Sequence, residues 1–360
     1  MYSATQLFLI YSGLFFGALV FSLLTNSVFM RFFKTFGIRE NAEGMVRWSA
    51  SAKPAFGGIG FFIVFLGAFA MHGALFPKES DPLQRELLGL LAATGLGFLM
   101  GLADDAYNTR PLLKFFTQVA CGVILIVTGT CIHIFHTAWL DQLLTVFWVV
   151  GLMNSINMLD NMDGITTVTS IGILSCGLLI HLEGGQLVTI NIVLIIGTIA
   201  SLAGFLFFNW HPSRMYMGDT GSQFLGVFLA YIGIRCFWNG VGPVGVVEPW
   251  RQAVSTLVVF ALPIIDTTVV TINRIARGTS PFVGGKDHTT HHLSYAGLGD
   301  AQVALTFAGL AALSFFFVFT MRFFIPVWHT WHSLVFIGYA VGLFIFLFGL
   351  TRRTKAPAKG

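Results

Sequence analysis

Residues 187–208 read LVTINIVLIIGTIASLAGFLFF, a run of 22 residues that contains no charged side chain. A helix that crosses the hydrocarbon core of a bilayer needs about 20 mostly apolar residues, so this run is long enough to span a membrane. Of the whole 360-residue chain, 55% is hydrophobic and only 10% is charged, whereas soluble domains carry charge on about a quarter of their residues. Because so few charges cannot cover a water-soluble globule, composition excludes a soluble enzyme, a nucleic-acid binder and a disordered chain.

Similar apolar segments recur along the chain, and they are continuous rather than alternating, which argues against a transmembrane β-barrel. We therefore predict an all-α, polytopic membrane protein with eleven spans in a single domain over residues 1–360. The first segment is too long for a signal peptide and lacks its basic start, so we expect it to remain attached. The predicted spans are residues 7–30, 55–76, 87–103, 113–131, 139–156, 165–182, 187–208, 221–238, 252–273, 301–321 and 327–350.

Lys and Arg indicate the orientation, because they accumulate in cytoplasmic loops. With eleven spans, 15 of the 20 basic residues fall on the side of the C-terminus and five on the other side. This split predicts a cytoplasmic C-terminus and an N-terminus on the periplasmic side. The loops assigned to the cytoplasm are residues 31–54, 104–114, 157–164, 209–220 and 274–300.

The acidic residues, which played no part in that assignment, concentrate in the same loops. The third predicted span ends in the adjacent carboxylates Asp104 and Asp105. Two neighbouring carboxylates at a membrane edge repel each other unless a cation or a proton relieves them. Oxygen ligands of this kind suit Mg²⁺ or Mn²⁺, which in turn suit phosphate substrates. The pair therefore indicates a cation and phosphate site, with a solvated helix terminus as the alternative.

A second polar cluster follows the fifth predicted span. Asn157, Asp160 and Asp163 are spaced by three residues, so a helix would place them on one face. Asn offers a carbonyl oxygen to a metal, or hydrogen bonds to a base or a phosphate. The alternative is a set of turn-forming residues, since Asp-Gly favours turns.

Glycines open two of the predicted helices. Asn209-Trp210-His211-Pro212 and Met217-Gly218-Asp219 flank the loop before the eighth span. A glycine-rich helix start can offer backbone N–H groups to a phosphate while Asp219 holds its metal. Lys53-Pro54-Ala55-Phe56-Gly57-Gly58 opens the second span in a similar way, where Lys53 either contacts a phosphate or simply marks the cytoplasmic side.

The loop before the tenth span combines an acid with histidines. Asp287, His288, His291 and His292 fall within six residues. We favour hydrogen bonds from these side chains to a diphosphate over zinc, because no Cys or closely spaced Glu completes a tetrahedral site. A further carboxylate, Asp266, lies inside the ninth predicted span, where an acid indicates a function by default; the sequence assigns it no role.

Taken in order, these motifs resemble those of the polyprenyl-phosphate N-acetylhexosamine-1-phosphate transferases, a family of integral membrane enzymes. The resemblance runs from about residue 53 to residue 293 and rests on the whole series rather than on one motif. The last loop, Asp287-His288-x-x-His291-His292, is similar to the branch that transfers N-acetylglucosamine 1-phosphate, whereas the muramoyl-pentapeptide branch looks like three consecutive histidines there. Thr289 and Thr290 between the histidines depart from the pattern and leave the hexosamine open.

The resemblance implies transfer of an N-acetylhexosamine 1-phosphate from a UDP-sugar to undecaprenyl phosphate, with release of UMP, at the cytoplasmic face of a bacterial inner membrane. It implies Mg²⁺, with Mn²⁺ as an alternative, held by Asp219 with Asn157. It assigns catalytic roles to Asp104, Asp105, Asp219 and His288, and substrate binding to Lys53, Asn157, Asp160, Asp163, Asn209, His291 and His292. Membrane lipids and the two substrates are the implied partners, and the sequence does not distinguish a monomer from a homodimer.

Three other functions remain open at this stage. A phospho-N-acetylmuramoyl-pentapeptide transferase would use the same motifs on a different sugar nucleotide. A membrane aromatic prenyltransferase also uses Mg²⁺ and Asp-rich motifs, but it needs no His-rich loop. A proton-coupled transporter working through Asp266 would bind near the bilayer midplane and often shows inverted repeats, whereas the polar motifs here lie at one membrane edge.

Overall fold

The computed structural model describes residues 2–32, 53–76, 84–135, 137–185, 187–243, 245–281 and 284–356. Across these residues the protein is helical and contains no β-strand, which confirms the all-α prediction. The helix α8 continues directly into a π-helical segment, Gly233–Trp238. The α-helices are α1 Ala4–Phe32, α2 Gly57–Leu75, α3 Arg85–Tyr107, α4 Pro111–Val127, α5 Ala138–Leu159, α6 Ile165–Glu183, α7 Ile190–Asn209, α8 Gly218–Ile232, α9 Pro249–Val259, α10 Ala261–Ala276, α11 Thr289–Tyr295, α12 Asp300–Phe323 and α13 Thr330–Arg353.

Every predicted span coincides with helix, and most of these helices are suited to a bilayer. Within the described residues, eight helices are long and apolar enough to cross a membrane, and α9 with α10 makes a ninth if the two form one bent span. The helix α4 is apolar but has only 17 residues, and α8 reaches membrane length only together with its π-helical continuation. The protein is therefore an integral, polytopic membrane protein, whereas the count of eleven and the orientation remain predictions.

The ninth predicted span is broken rather than straight. The helices α9 and α10 meet at an angle of 72°, and Phe260 lies between them. Pro263 stands in the first turn of α10, where its missing N–H costs nothing but where its ring prevents the helix from continuing smoothly from α9. The bend turns α10, which carries Asp266, toward the polar end of the molecule.

The helix α8 is the centre of the fold. All of its residues from Thr220 to Ile232 are buried, and it packs against α2, α3 and α5. Because α8 begins at Gly218, its first turn places Asp219 among the ends of these neighbouring helices. The most enclosed helix of the protein thus carries the predicted metal ligand at its start.

Small residues allow this close packing. The backbone of α2 at Gly58 lies against the backbone of Gly221, and a Cβ at position 58 would collide with it. The α3 residue Gly101 meets the backbone of Asp219 in the same way. These two glycines therefore let α2 and α3 pack closely on both sides of the start of α8, in an arrangement that we call the clamp. The clamp fixes the position of Asp219 in the site.

We expect Gly58→Ala to destabilise the protein by about 1–3 kcal/mol, since overpacking against backbone cannot be relieved by a side-chain rotation. Gly67→Ala, also in α2, is the matched control because a Cβ there meets no atom within 4 Å. Thermal unfolding in detergent compares the two variants. Equal midpoints for both variants would contradict the proposed clamp.

Candidate active site

A cavity of about 510 Å³ opens at the ends of these helices, within the range of about 300–1,000 Å³ typical of small-molecule sites. Its walls come from four of the five predicted cytoplasmic loops, with Ala55 beside the fifth. The structure thus brings together motifs that lie up to 187 residues apart, from Asp104 to His291. Of the predicted site residues, only Lys53 and His292 are not part of the cavity wall.

A lysine bridges the acids at the centre of the cavity. The Lys114 ammonium lies 2.9 Å from Asp104 Oδ2 and 3.1 Å from Asp219 Oδ2. It also donates to Asn157 Oδ1 at 3.4 Å. Asp219 keeps 32% of its side chain exposed, against 10% for Asp104. Asp219 is therefore the more open of the two carboxylates toward a ligand.

Asp105 is engaged differently from its neighbour. One of its carboxylate oxygens accepts from the backbone N–H of Asp219, at 2.9 Å. The other accepts from the backbone N–H and the hydroxyl of Thr220, at 2.9 and 2.6 Å. A carboxylate is a favourable cap for the positive end of a helix. Asp105 therefore caps α8 from α3 and aligns Asp219.

The glycine-rich starts of α8 and α2 were expected to offer free backbone N–H groups to a phosphate. This expectation is wrong for four of these groups, because they donate to atoms of the protein itself. In the first turn of α8, the N–H groups of Asp219 and Thr220 already donate to Asp105. At α2, Gly57 N and Gly58 N donate to the carbonyls of Tyr216 and Met217, at 3.2 and 3.0 Å. The glycines serve packing and turn geometry instead: Gly218 has φ +74°, a conformation that other residues rarely adopt.

The three residues spaced by three are not on one helical face, contrary to the expectation from their spacing. The helix α5 ends at Leu159, so only Asn157 is helical, and Asp160 and Asp163 lie in the turn before α6. Asp and Asn followed by Gly164 favour this turn, in which Gly164 adopts φ +77°. Asn157, Asp160 and Asp163 nevertheless all reach the cavity wall.

Within this group, Asn157 belongs to the central cluster. Its amide nitrogen donates to Asp219 Oδ1 at 2.5 Å and to Ser222 Oγ at 2.9 Å. Asp160 lies nearby: burial raises its pKa to about 8, and the charges of Asp219, Asp105 and Asp163 add to that effect. Three neighbouring carboxylates thus add negative charge around Asp160, which favours a bound cation.

Asp163 organises the loop before α8. It accepts from the backbone N–H and hydroxyl of Ser213, at 2.9 and 2.6 Å, and from His211 Nδ1 at 3.1 Å. Lys53 donates to the same serine hydroxyl at 2.9 Å and lies 3.9 Å from Asp163. Its ammonium also lies 5.1 Å from the centre of the Tyr216 ring. Lys53 thus contacts Ser213, Asp163 and Tyr216 without lining the cavity itself.

Asn209 is committed to the protein's own backbone. Its side-chain oxygen accepts from Gly164 N and from the Thr167 hydroxyl, at 3.1 and 2.9 Å, and its nitrogen donates to the Met215 carbonyl at 3.0 Å. Three of its four hydrogen-bonding positions are used. The arrangement favours a role in joining α6, α7 and the following loop over direct contact with a substrate.

The His-rich motif forms the short helix α11, whose start is held from two directions. His288 Nδ1 lies 2.8 Å from Asp266 Oδ2. Thr290 donates to Asn161 Oδ1 in the turn between α5 and α6. Thr289 and Thr290 are fully buried, so the residues that depart from the family pattern anchor the motif to its neighbours.

The three histidines of the motif have different surroundings. His288 and His291 line the cavity. Burial, followed by the charge of His288, lowers the pKa of His291 to about 3, so its ring is neutral near pH 7. His292 points elsewhere, with Nδ1 at 2.7 Å from the Thr354 hydroxyl after α13. The expectation that all three contact the substrate therefore finds no support for His292 in this geometry.

The donor set of the central cluster suits a hard cation. Asp104, Asp219 and Asn157 present three oxygens to one ammonium, and oxygen ligands are those that Mg²⁺ prefers. Among the described residues, no three His, Cys, Asp or Glu side chains have the mutual spacing of a preformed metal site. The chemistry of the residues fits a divalent cation, and Lys114 shares its candidate ligands.

Several residues of the cavity wall escaped prediction from the sequence, among them the basic residues Lys114 and Arg274. Lys114 stands one turn inside α4, in the apolar context PLLKFF, and an isolated Lys at such a helix start could have been read as a signal. Arg274 lines the cavity and binds Asp287 through two nitrogens, at 3.1 and 2.7 Å. Burial alone would raise the pKa of Asp287, but hydrogen bonds and charge from Arg274 hold it below its usual range.

Known proteins share this chain's central region. Residues 87–237 match glycosyl transferase family 4. A probable undecaprenyl-phosphate N-acetylglucosaminyl 1-phosphate transferase of Bacillus subtilis (strain 168) is 28% identical over 261 residues, covering 70% of this chain and 68% of the relative. A decaprenyl-phosphate N-acetylglucosaminephosphotransferase of Mycobacterium leprae (strain TN) is 30% identical over 236 residues, or 57% of each chain. A phospho-N-acetylmuramoyl-pentapeptide-transferase of Streptococcus agalactiae serotype III (strain NEM316) is 28% identical over 239 residues, or 60% of this chain and 70% of the relative.

The matched region contains the central cluster of the cavity. Asp104, Asn157 and Asp219 all fall inside residues 87–237, whereas the His-rich motif lies beyond them. The names of the relatives cover both branches that the motifs resemble, with N-acetylglucosaminyl transferases among the most similar. The ordered motifs, their meeting around one cavity and these matches agree in pointing to glycosyl transferase family 4, whose model residues 87–237 match.

Proposed function

We propose that this protein transfers an N-acetylhexosamine 1-phosphate, of which N-acetylglucosamine 1-phosphate is our first choice, from a UDP-sugar to undecaprenyl phosphate. The observation that carries the proposal is the oxygen cluster of Asp104, Asn157 and Asp219 gathered around Lys114 in the cavity. Such a cluster suits a metal-assisted phosphoryl transfer. Relatives named as GlcNAc-1-phosphate transferases support the choice of sugar.

The reaction joins two anions. An oxygen of the lipid phosphate attacks the β-phosphorus of the UDP-sugar, a new P–O bond forms, and the bond to the bridging oxygen breaks so that UMP leaves. The protein must offset the repulsion between the phosphates and stabilise charge in the transition state. Lys114 and His288 are the groups of the cavity wall that we assign to this task.

A divalent cation, Mg²⁺ or Mn²⁺, would be held by Asp219 with the Asn157 oxygen. When bound, it would neutralise phosphate charge and polarise the β-phosphorus. We assign Asp104 and Asp105 to the lipid-phosphate side of the site, with Asp105 acting through its alignment of α8. Asp160 and His291 would contact the nucleotide and sugar, Asp163 and Asn209 would shape the wall behind them, and Lys53 would hold Asp163 and Ser213 from outside that wall.

The proposed location is the inner membrane of a bacterium, with the cavity facing the cytoplasm. The excess of basic residues on that side supports this orientation, and UDP-sugars are soluble molecules of the cytoplasm. The cavity lies at helix ends, where a lipid phosphate at headgroup level can meet a soluble nucleotide. The whole chain, residues 1–360, would act as one transferase domain.

Purified protein with UDP-GlcNAc, undecaprenyl phosphate and Mg²⁺ is expected to release UMP and form the lipid-linked sugar diphosphate. Chelation of the metal should abolish the release. UMP measured by coupled assay, with the lipid product identified by mass spectrometry, checks the result, and omission of the lipid phosphate controls for hydrolysis.

The donor panel separates the branches of the family. UDP-GlcNAc, UDP-GalNAc and UDP-MurNAc-pentapeptide are compared under the same conditions. UMP release only with the pentapeptide donor would move the protein to the muramoyl branch. A protein that folds but releases no UMP with any of these donors would refute the transferase proposal.

A further inference from the structure

Asp266 is the most deeply buried carboxylate near the cavity, and no step above uses it. It is 1% exposed and lies in α10, in the second turn after the 72° bend. One of its oxygens accepts from the backbone N–H and hydroxyl of Thr289, at 2.8 and 2.6 Å. The other lies 2.8 Å from His288 Nδ1.

These contacts determine which nitrogen of His288 carries the proton. An ionised carboxylate can only accept hydrogen bonds, so Nδ1 must be the donor to Asp266. The other ring nitrogen, Nε2, is then the one available to a ligand, and His288 is part of the cavity wall.

The backbone that carries His288 is held by hydrogen bonds around the start of α11. The backbone N–H of His288 donates to His291 Nδ1 at 3.3 Å, and Thr289 is fixed by Asp266. Thr290 ties the same helix start to Asn161. Because α11 has only seven residues, the bonds from Thr289 to α10 and from Thr290 to the turn between α5 and α6 fix its start relative to the rest of the protein.

We propose that Asp266 is a positioning residue for the transferase reaction: it sets the Nδ1–H tautomer and the orientation of His288, so that Nε2 faces the diphosphate of the sugar nucleotide. This inference rests on the proposed function for the identity of the ligand. The positioning itself depends only on the contacts of Asp266, His288 and Thr289.

Asp266→Asn tests the proposal because the new amide can donate to Nδ1, which moves the ring proton to Nε2 without a change in volume. We expect kcat for UMP release to fall by about 100-fold or more, as when the carboxylate that orients a catalytic histidine is replaced by an amide. The KM for the UDP-sugar should change by less than about threefold, because the lost interaction acts mainly in the transition state. The matched control is Thr268→Val, two residues further along α10, where the exposed hydroxyl donates to the backbone carbonyl of Ile264 at 2.6 Å and does not line the cavity. We expect its kcat to stay within about threefold of the wild type.

A double-mutant cycle separates positioning from a general structural role. His288→Ala should lower kcat to a similar level, and Asp266→Asn added to it should have little further effect. Additive losses in the double variant, or wild-type kcat in Asp266→Asn, would overturn the proposal.

The tautomer can also be read without activity. The wild-type protein is labelled with ¹⁵N-histidine, and the NMR signal that is missing in His288→Gln is assigned to His288. This signal should show the proton of the neutral ring on Nδ1. A proton on Nε2 instead would overturn the positioning role, even if Asp266→Asn does not fold. Failure of the proposed function appears separately, as absence of UMP release by the wild type with every donor.

Discussion

Asp219→Asn is expected to lower UMP release by about 10³-fold or more while the protein still folds. Asp219 is the more open carboxylate of the Lys114-bridged pair, with 32% of its side chain exposed, and it starts the helix that the whole fold encloses. Asn keeps the volume but removes the negative charge that a divalent cation needs, and loss of metal-based charge stabilisation costs several kcal/mol in the transition state. UMP release and Mn²⁺ binding are measured on the same preparation.

The control for this variant is Glu86→Gln, the same exchange of carboxylate for amide at the opposite end of α3 from Asp104. Glu86 pairs with Arg235 while both side chains are about 40% exposed, and such pairs contribute little to stability. Its turnover should equal that of the wild type. Wild-type turnover or wild-type Mn²⁺ affinity in Asp219→Asn, with an unchanged unfolding midpoint, would remove Asp219 from the metal site.

The sequence was sufficient to predict the helices and the meeting of the motifs. Continuous apolar runs such as residues 187–208 have one stable arrangement in a bilayer, the helix, and α7 covers most of that run. The distribution of Lys and Arg placed Asp104, Asp160 and Asp219 on one side, and the structure brings all three to one cavity. The apolar runs and the distribution of charge were thus enough to predict at which end of the helices the site lies.

The same information could not predict which polar groups pair with one another. The carboxylate of Asp105 in α3 caps α8 by accepting from Asp219 and Thr220, which lie more than a hundred residues further along the chain. Such a bond depends on the close approach of α3 and α8 at Gly101, which no local pattern encodes. Periodicity was also misleading at Asn157-x-x-Asp160, because a turn ends α5 inside the predicted stripe.

Asp266 shows the limit most clearly. Its position in an apolar span indicated a function, but its partner His288 lies 22 residues along the chain. The contact joins α10, which follows the 72° bend, to the start of α11. Pro263 gives a sequence signal for a break, but not for the direction in which α10 turns.

Lys114→Gln is expected to bind Mn²⁺ at least about tenfold more tightly than the wild type and yet to turn over at least about tenfold more slowly. The ammonium lies 3.1 Å from Asp219 and 2.9 Å from Asp104, so it competes for the oxygens that would hold the cation. Two unit charges 4 Å apart interact by about 4 kcal/mol at an effective dielectric constant of about 20. Removal of even part of this repulsion exceeds the roughly 1.4 kcal/mol that a tenfold change in affinity requires.

Free Mn²⁺ measured by electron paramagnetic resonance gives the affinity, and Lys53→Gln provides the matched control. Lys53 is also paired with an acid, Asp163 at 3.9 Å, but it is not part of the cavity wall. Its replacement should leave Mn²⁺ affinity within about threefold, because a charge outside the cluster is screened more strongly. Equal or weaker Mn²⁺ binding by Lys114→Gln would show that Lys114 and the cation do not share Asp219.

The loss of turnover has a separate cause from the gain in affinity. A cation that takes over Asp219 and the Asn157 oxygen leaves Lys114 bound to Asp104, so the positive charge of Lys114 stays beside the cavity, where two phosphates must approach each other. Gln cannot supply that charge, and the electrostatic stabilisation of the transition state falls with it. Tighter metal binding with unchanged turnover would therefore limit Lys114 to holding the acids together before the cation arrives.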